Sequence, residues 1–133
     1  LLYSQMLKAK KIQKKRESIW KKYNKIITNF KTKKFYLIQP IVNSISAYHL
    51  IILIFKNQKL SLDFKNKMQK KNIAATFHYV PLHKSKMGNK FYNKKLPITE
   101  NIYNRVVRLP LFPDMTKKEF NKIEKNLKKF VHE

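Results

Sequence analysis

The chain has 133 residues, enough for one domain with its own core. Its apolar content of 43% argues against wholesale disorder, and the absence of cysteine excludes disulfides and thiolate metal sites, which fits a reducing compartment. The net charge of +24, from 31 Lys and Arg against 7 Asp and Glu, admits attraction to nucleic acid or another anionic surface, or a lysine drift of the kind an AT-rich genome produces. Only Arg16, Arg105 and Arg108 are arginines, and the lysines form no stripe. Nucleic-acid readers favour the bidentate guanidinium fork, so nucleic acid is the non-specific alternative partner. The longest apolar run, Leu50 to Phe55, is too short to span a bilayer, and no basic region precedes an apolar core at the start. A cytoplasmic location is therefore expected. The chain opens without Met and reads as part of something longer.

Residues 2–30 read as one long amphipathic helix. Leu2, Met6, Ala9, Ile12, Ile19, Trp20, Tyr23, Ile26, Ile27 and Phe30 recur at three- and four-residue steps. Phe35 to Pro40 reads as extended, closed by the proline. Ile45 to Phe55, β-branched and continuously apolar in its second half, reads as the main strand, covered on both faces. Asn57-Gln58-Lys59 reads as a turn, with Ser61 the N-cap of a helix along Leu60, Phe64 and Met68 that ends near Lys71-Asn72. Ile73 to Tyr79 reads as a second strand. A helix capped by Thr99 carries Ile102 and Val106 on one face. Arg108 to Pro113 is short, extended and bracketed by prolines. Thr116-Lys117-Lys118-Glu119 is a capping box that opens a last helix with Phe120, Ile123, Leu127 and Phe130 on its apolar face. The order implies an α+β or α/β layer. We expect a leading helix over 1–31 and a small α/β domain over 32–133.

The stretch Phe77-His78-Tyr79-Val80-Pro81-Leu82-His83-Lys84-Ser85-Lys86-Met87-Gly88 holds two of the four histidines and the single glycine. One glycine excludes both a Rossmann fingerprint and a P-loop, which need glycines where backbone meets phosphate. His78 and His83 lie five apart across a proline with no carboxylate near in sequence, so no metal site is expected. Acidic residues are too few and too late for a Ser-His-Asp set or a carboxylate pair. Two readings of the stretch stand side by side. Its imidazoles, phenol and lysines suit an anionic, hydroxyl-rich ligand such as a sugar phosphate. Alternatively, His78 and Tyr79 pack a strand end and the lysines are solvated.

Four segments in order carry a resemblance: Ala47-Tyr48-His49-Leu50; Asn72 through His83; Leu96-Pro97 before a helix; and Arg108-Leu109-Pro110-Leu111-Phe112-Pro113-Asp114-Met115-Thr116. Together they resemble the C-terminal domain of the DegT/DnrJ/EryC1/StrS sugar aminotransferases. Members acting on dTDP-4-keto-6-deoxyhexoses carry a comparable Phe-His-Tyr-x-Pro-Leu-His run. The resemblance implies the α+β small C-terminal domain of a fold-type I enzyme: a long leading helix plus a short sheet packed with helices. It implies a homodimer that uses pyridoxal phosphate to move an amino group onto a nucleotide-linked keto-sugar. The cofactor and its lysine belong to a large domain that this chain lacks, so we expect no catalytic residue, no bound cofactor and no activity from this chain alone. The resemblance places His78, Tyr79 and His83 on the substrate side. Without its large domain, the Trp20/Tyr23/Ile27 face is expected to be bare and to drive self-association or dependence on a partner chain.

Overall fold

Alternation puts Phe35, Leu37, Ile51, Leu53, Phe55, Val107 and Leu109 on one face of a three-stranded antiparallel sheet, and the core forms there. The computed structural model describes residues 2–92 and 94–133. Leu1, where the expected leading segment begins, lies outside them. The elements are α1 (Leu2–Leu7), α2 (Ala9–Asn29), β1 (Phe35–Leu37), β2 (Ile51–Phe55), α3 (Gln58–Gln69), a 3-10 turn (Leu82–Lys84), α4 (Gly88–Phe91), α5 (Pro97–Arg105), β3 (Val106–Leu109) and α6 (Lys117–His132). The sheet order is β1-β2-β3, with Phe35 opposite Phe55 and Ile51 opposite Leu109. Helices α2, α3 and α6 cover the core face. They bring Ile19, Trp20, Tyr23 and Ile27, then Phe64 and Met68, then Ile123, Leu127 and Phe130. Phe64 sits 5.0 Å from Phe55 and 5.0 Å from Phe130, a tilted and an edge-on ring pair at the centre of the core. The architecture is α+β, as expected.

Several local expectations are corrected. The leading helix is two helices. The Lys8 amide bonds Gln5 O at 3.1 Å, a three-residue step, and α1 buries nothing. Leu2, Tyr3, Met6 and Leu7 are between 66% and 75% exposed, so the buried stripe begins only at Ile19. Conversely, the Trp20/Tyr23/Ile27 face is not bare. Tyr23 is fully buried, its hydroxyl donates to Pro110 O at 2.9 Å, and its ring meets Phe120 edge-on at 5.0 Å. The β3–α6 connector reaches over α2 and pins it from outside through Lys15 and Asp114, 2.6 Å apart. This chain closes its own core.

The strand expected from Ile45 begins at Ile51. Tyr48 takes φ 44°, the Ser46 hydroxyl accepts from the Tyr48 amide, and Ile45 is wholly exposed, so the chain turns before it pairs. The α3 cap is Asn57, whose side chain accepts from the Leu60 amide. Ser61 is buried inside α3, and its hydroxyl bonds Gln58 O and Asn104 O, tying α3 to α5. Asn72 at φ 52° turns the chain out of α3. Residues 73–79 do not form a full strand: only Thr76 bridges to β3, opposite Arg108. The helix expected to run through Val106 ends at Arg105, because Val106 through Leu109 form the sheet's third strand. Thr99 lies inside α5, which starts at Pro97. The Thr116–Glu119 capping box is present as read.

Candidate functional site

The stretch 77–88 leaves β3 at the Thr76 bridge and is braced at its far end by α5. The brace is Glu100, one of only seven acidic residues. Its Oε2 lies 2.8 Å from Lys84 Nζ and its Oε1 lies 3.2 Å from His83 Nε2. The Leu96 amide also donates to it at 3.3 Å. Hydrogen bonds from Lys84 and then His83 lead the effects that hold the Glu100 carboxyl down at about 2. A carboxylate only accepts, so His83 Nε2 carries the hydrogen in this contact. The His83 side chain is 8% exposed and is committed to this brace.

Pro81, Leu82 and Ser85 shape the turn. Ser85 N and Oγ both donate to Leu82 O, and Ser85 Oγ accepts from the Gly88 amide. A Cβ on Gly88 would stand 1.7 Å from Leu82 O, so only glycine lets the backbone close here. The braced turn borders an open, mostly apolar hollow of about 550 Å³ lined by Leu82, His83, Phe91, Tyr92, Leu96 and Thr99.

The three expected site residues fall into two surroundings. His83 faces α5 and this hollow. His78 and Tyr79 lie at the other end, their rings 4.5 Å apart, with Tyr79 73% exposed. His78 Nδ1 is 3.5 Å from the Arg108 guanidinium. Burial, followed by the charges of Arg108 and His49, pushes the His78 imidazole below its usual range. His49 and Arg108 border a cleft of about 270 Å³ together with Leu50, Ala74, Thr76 and Leu109 to Phe112.

Sequence reasoning did not nominate Glu100, Arg108 or His49. The available signal was scarcity: an acid in a chain with seven, and an arginine in a chain with three. Among the described residues no three His, Asp or Glu side chains converge as a metal site would require. No helix among them is long and apolar enough to cross a membrane. Every described lysine is at least partly exposed.

Comparison with known proteins covers almost the whole chain. The DegT/DnrJ/EryC1/StrS aminotransferase family matches residues 1–128. An uncharacterised protein of Methanocaldococcus jannaschii is 31% identical over 97% of the chain and 34% of its own length. The dTDP-3-amino-3,6-dideoxy-alpha-D-galactopyranose transaminase of Aneurinibacillus thermoaerophilus is 30% identical over 58% of the chain and 21% of its own length. Helicobacter pylori PseC, an aminotransferase of pseudoaminic acid biosynthesis, superposes with a TM-score of 0.82 at 22% identity, covering 98% of the chain and 35% of PseC. DesV of S. venezuelae, solved with a ketimine intermediate, superposes with a TM-score of 0.85 at 15% identity, covering 99% of the chain and 35% of DesV. At such identities the structures speak to the fold, which is that of a portion of these fold-type I aminotransferases. The chain spans about a third or less of the length of these relatives.

Proposed function

The chain belongs to the DegT/DnrJ/EryC1/StrS aminotransferase family, and on that premise we propose that it is the small, C-terminal portion of a cytoplasmic sugar-nucleotide aminotransferase. The observation that carries this reading is the braced stretch 77–88. Glu100 braces the turn at His83 and Lys84 and Gly88 closes it, while at the other end of the stretch His78 lies beside Arg108 with the Tyr79 ring against it. Rigid positioning of donors is what a polar sugar requires, since loosely held groups lose orientation and affinity. In this reading His78, Tyr79 and His83 form the substrate-side wall.

The substrate proposed is a dTDP-linked 4-keto-6-deoxyhexose, as for a TDP-4-oxo-6-deoxy-D-glucose (dTDP-4-amino-4,6-dideoxygalactose) transaminase. The Phe77-to-His83 run supports it, and the Aneurinibacillus relative's name shares the dTDP and 6-deoxyhexose parts. The family is pyridoxal-phosphate dependent, but the residues present do not fit the cofactor. An aldimine lysine works desolvated, and no described lysine is buried. A cofactor phosphate needs close backbone approach, and the single glycine is spent on the turn at 88. The proposal therefore assigns the cofactor to a large domain, met in the same protein or in a dimer partner, and no activity to this chain alone.

Two measurements test this. Titrating the isotope-labelled chain with dTDP-4-amino-4,6-dideoxygalactose should shift amides within 77–88 and leave α3 and α6 unmoved; shifts absent from 77–88 would overturn the site. Mixing the chain with pyridoxal phosphate and borohydride should fix no cofactor at any one lysine. A single reduced lysine would refute the assignment of the cofactor to another domain.

A further inference from the structure

We propose that the cleft between β3, the segment before β2 and residues 74–76 is a binding site for a small oxyanion, a carboxylate or a phosphate, gripped by the Arg108 guanidinium and the His49 imidazole. Strand geometry sets the position of Arg108. Its backbone lies between Ile52 on one side and Thr76 on the other, and its side chain leaves on the face opposite the core. There its Nε is buried with no hydrogen-bond partner among the described residues, and its NH1 reaches only His78 Nδ1 at 3.5 Å. Arg105, three residues earlier, makes the contrast. It spends its guanidinium on carbonyls, those of Asn101, Phe55 and Lys56.

No protein anion is left over for Arg108. The seven acidic side chains are engaged elsewhere: Glu17 with Lys21, Asp63 and Glu133 with Lys67, Glu100 with His83 and Lys84, Asp114 with Lys15, Glu119 with Thr116, and Glu124 with Lys128. The cleft's lining contains no carboxylate. Arg108 is half-buried, and a guanidinium without a counter-charge is costly to the extent that it is withdrawn from water; an oxyanion offering two coplanar oxygens satisfies it. His49 and the Thr76 hydroxyl supply further donors at the rim. Burial first, and then the charges of Arg108 and His49, lower the His78 imidazole, and a bound anion would oppose the part due to those charges. The inference does not rest on the transaminase reading, because it needs only residues of this chain.

The test titrates the labelled 133-residue chain with inorganic phosphate in one arm and glutamate in the other, at about 0.15 M salt to screen diffuse attraction. The expected result is saturable shifts at His49, Thr76, His78 and Arg108 in at least one arm, with the His78 titration moving to higher pH. Saturation by phosphate alone or glutamate alone identifies the anion. Arg108→Gln should weaken binding by at least about tenfold, a charged hydrogen-bonded pair being worth that much. Arg108→Lys should recover only part of it. His49→Gln should weaken binding while keeping the fork, and Lys125→Gln on α6 should change nothing. Amide spectra confirm that each variant is folded. Overturning results are no saturation in either arm, shifts spread over the lysine surface, or equal weakening by Arg108→Gln and Lys125→Gln.

Discussion

Glu100 and His78 stand at the two ends of the stretch 77–88, and their protonation shifts act on stability in the same direction. The Glu100 carboxyl titrates at about 2 in the folded chain against an ordinary 4.5. Its contribution is complete above 4.5 and is lost as the pH falls through about 2. Glu100→Gln should remove this acid-sensitive component and raise hydrogen exchange at Lys84, Ser85 and Gly88. Unchanged exchange there would show that the brace does not hold the turn. His78 is depressed below 6.5, by burial first. The unfolded chain therefore binds a proton before the folded one does, and stability falls as the pH drops below 6.5. His78→Gln should flatten that part of the stability profile, and NMR should find the His78 midpoint below 6.5. The histidines were legible as candidates because imidazoles flank Pro81. Their partners were not, because Glu100 and Arg108 lie 17 and 30 residues away in sequence and meet them only through α5 and β3.

At the level of elements, caps and stripes followed local chemistry and strand limits did not. Thr116 and Glu119 satisfy each other's backbone amides, so the start of α6 was readable from four consecutive residues. Thr116→Ala should cost about 1 kcal/mol by denaturant unfolding. Asn57→Ala should cost about as much, since Asn57 caps α3. Ser61→Ala separates the two accounts of this helix. Its hydroxyl binds Asn104 O, so the loss should appear as a weakened α3–α5 contact, seen as faster exchange in α5. Faster exchange confined to the first turn of α3 would restore Ser61 as the cap. β2 begins at Ile51 because Tyr48 turns the backbone and because β3 supplies partners only from Leu109 to Val106. Pairing partners such as Ile51 and Leu109, far apart in sequence, leave no local trace.

For the whole molecule, the balance is between a self-contained core and a charge of +24. The core residues form one cluster spanning α2, the sheet, α3 and α6, so the chain should melt in a single cooperative transition. Like-charge repulsion opposes compactness and is screened by salt, so the melting temperature should rise between about 0.01 M and 0.15 M ionic strength. A broad, non-cooperative melt, or a melting point indifferent to salt, would contradict this account. The apolar surface left over includes Leu2, Tyr3, Met6 and Leu7 on α1, Ile41, Val42 and Ile45 before β2, and Leu82 and Phe91 beside the hollow, but not the Trp20 face. Self-association through α1 should be reduced by Leu2→Ser with Met6→Ser, with analytical ultracentrifugation as the readout.

The sequence by itself determined the class of the fold, the helical stripes, the box at Thr116 and the segments that resemble one aminotransferase family. These depend on residues within a turn or two of each other, or on an order along the chain. Only the tertiary structure decided which stripe is covered, where the strands begin, that Glu100 braces the candidate loop, and that Arg108 stands without a carboxylate. Those facts depend on what the sheet and α5 bring together from distant positions, and neither periodicity nor spacing encodes it.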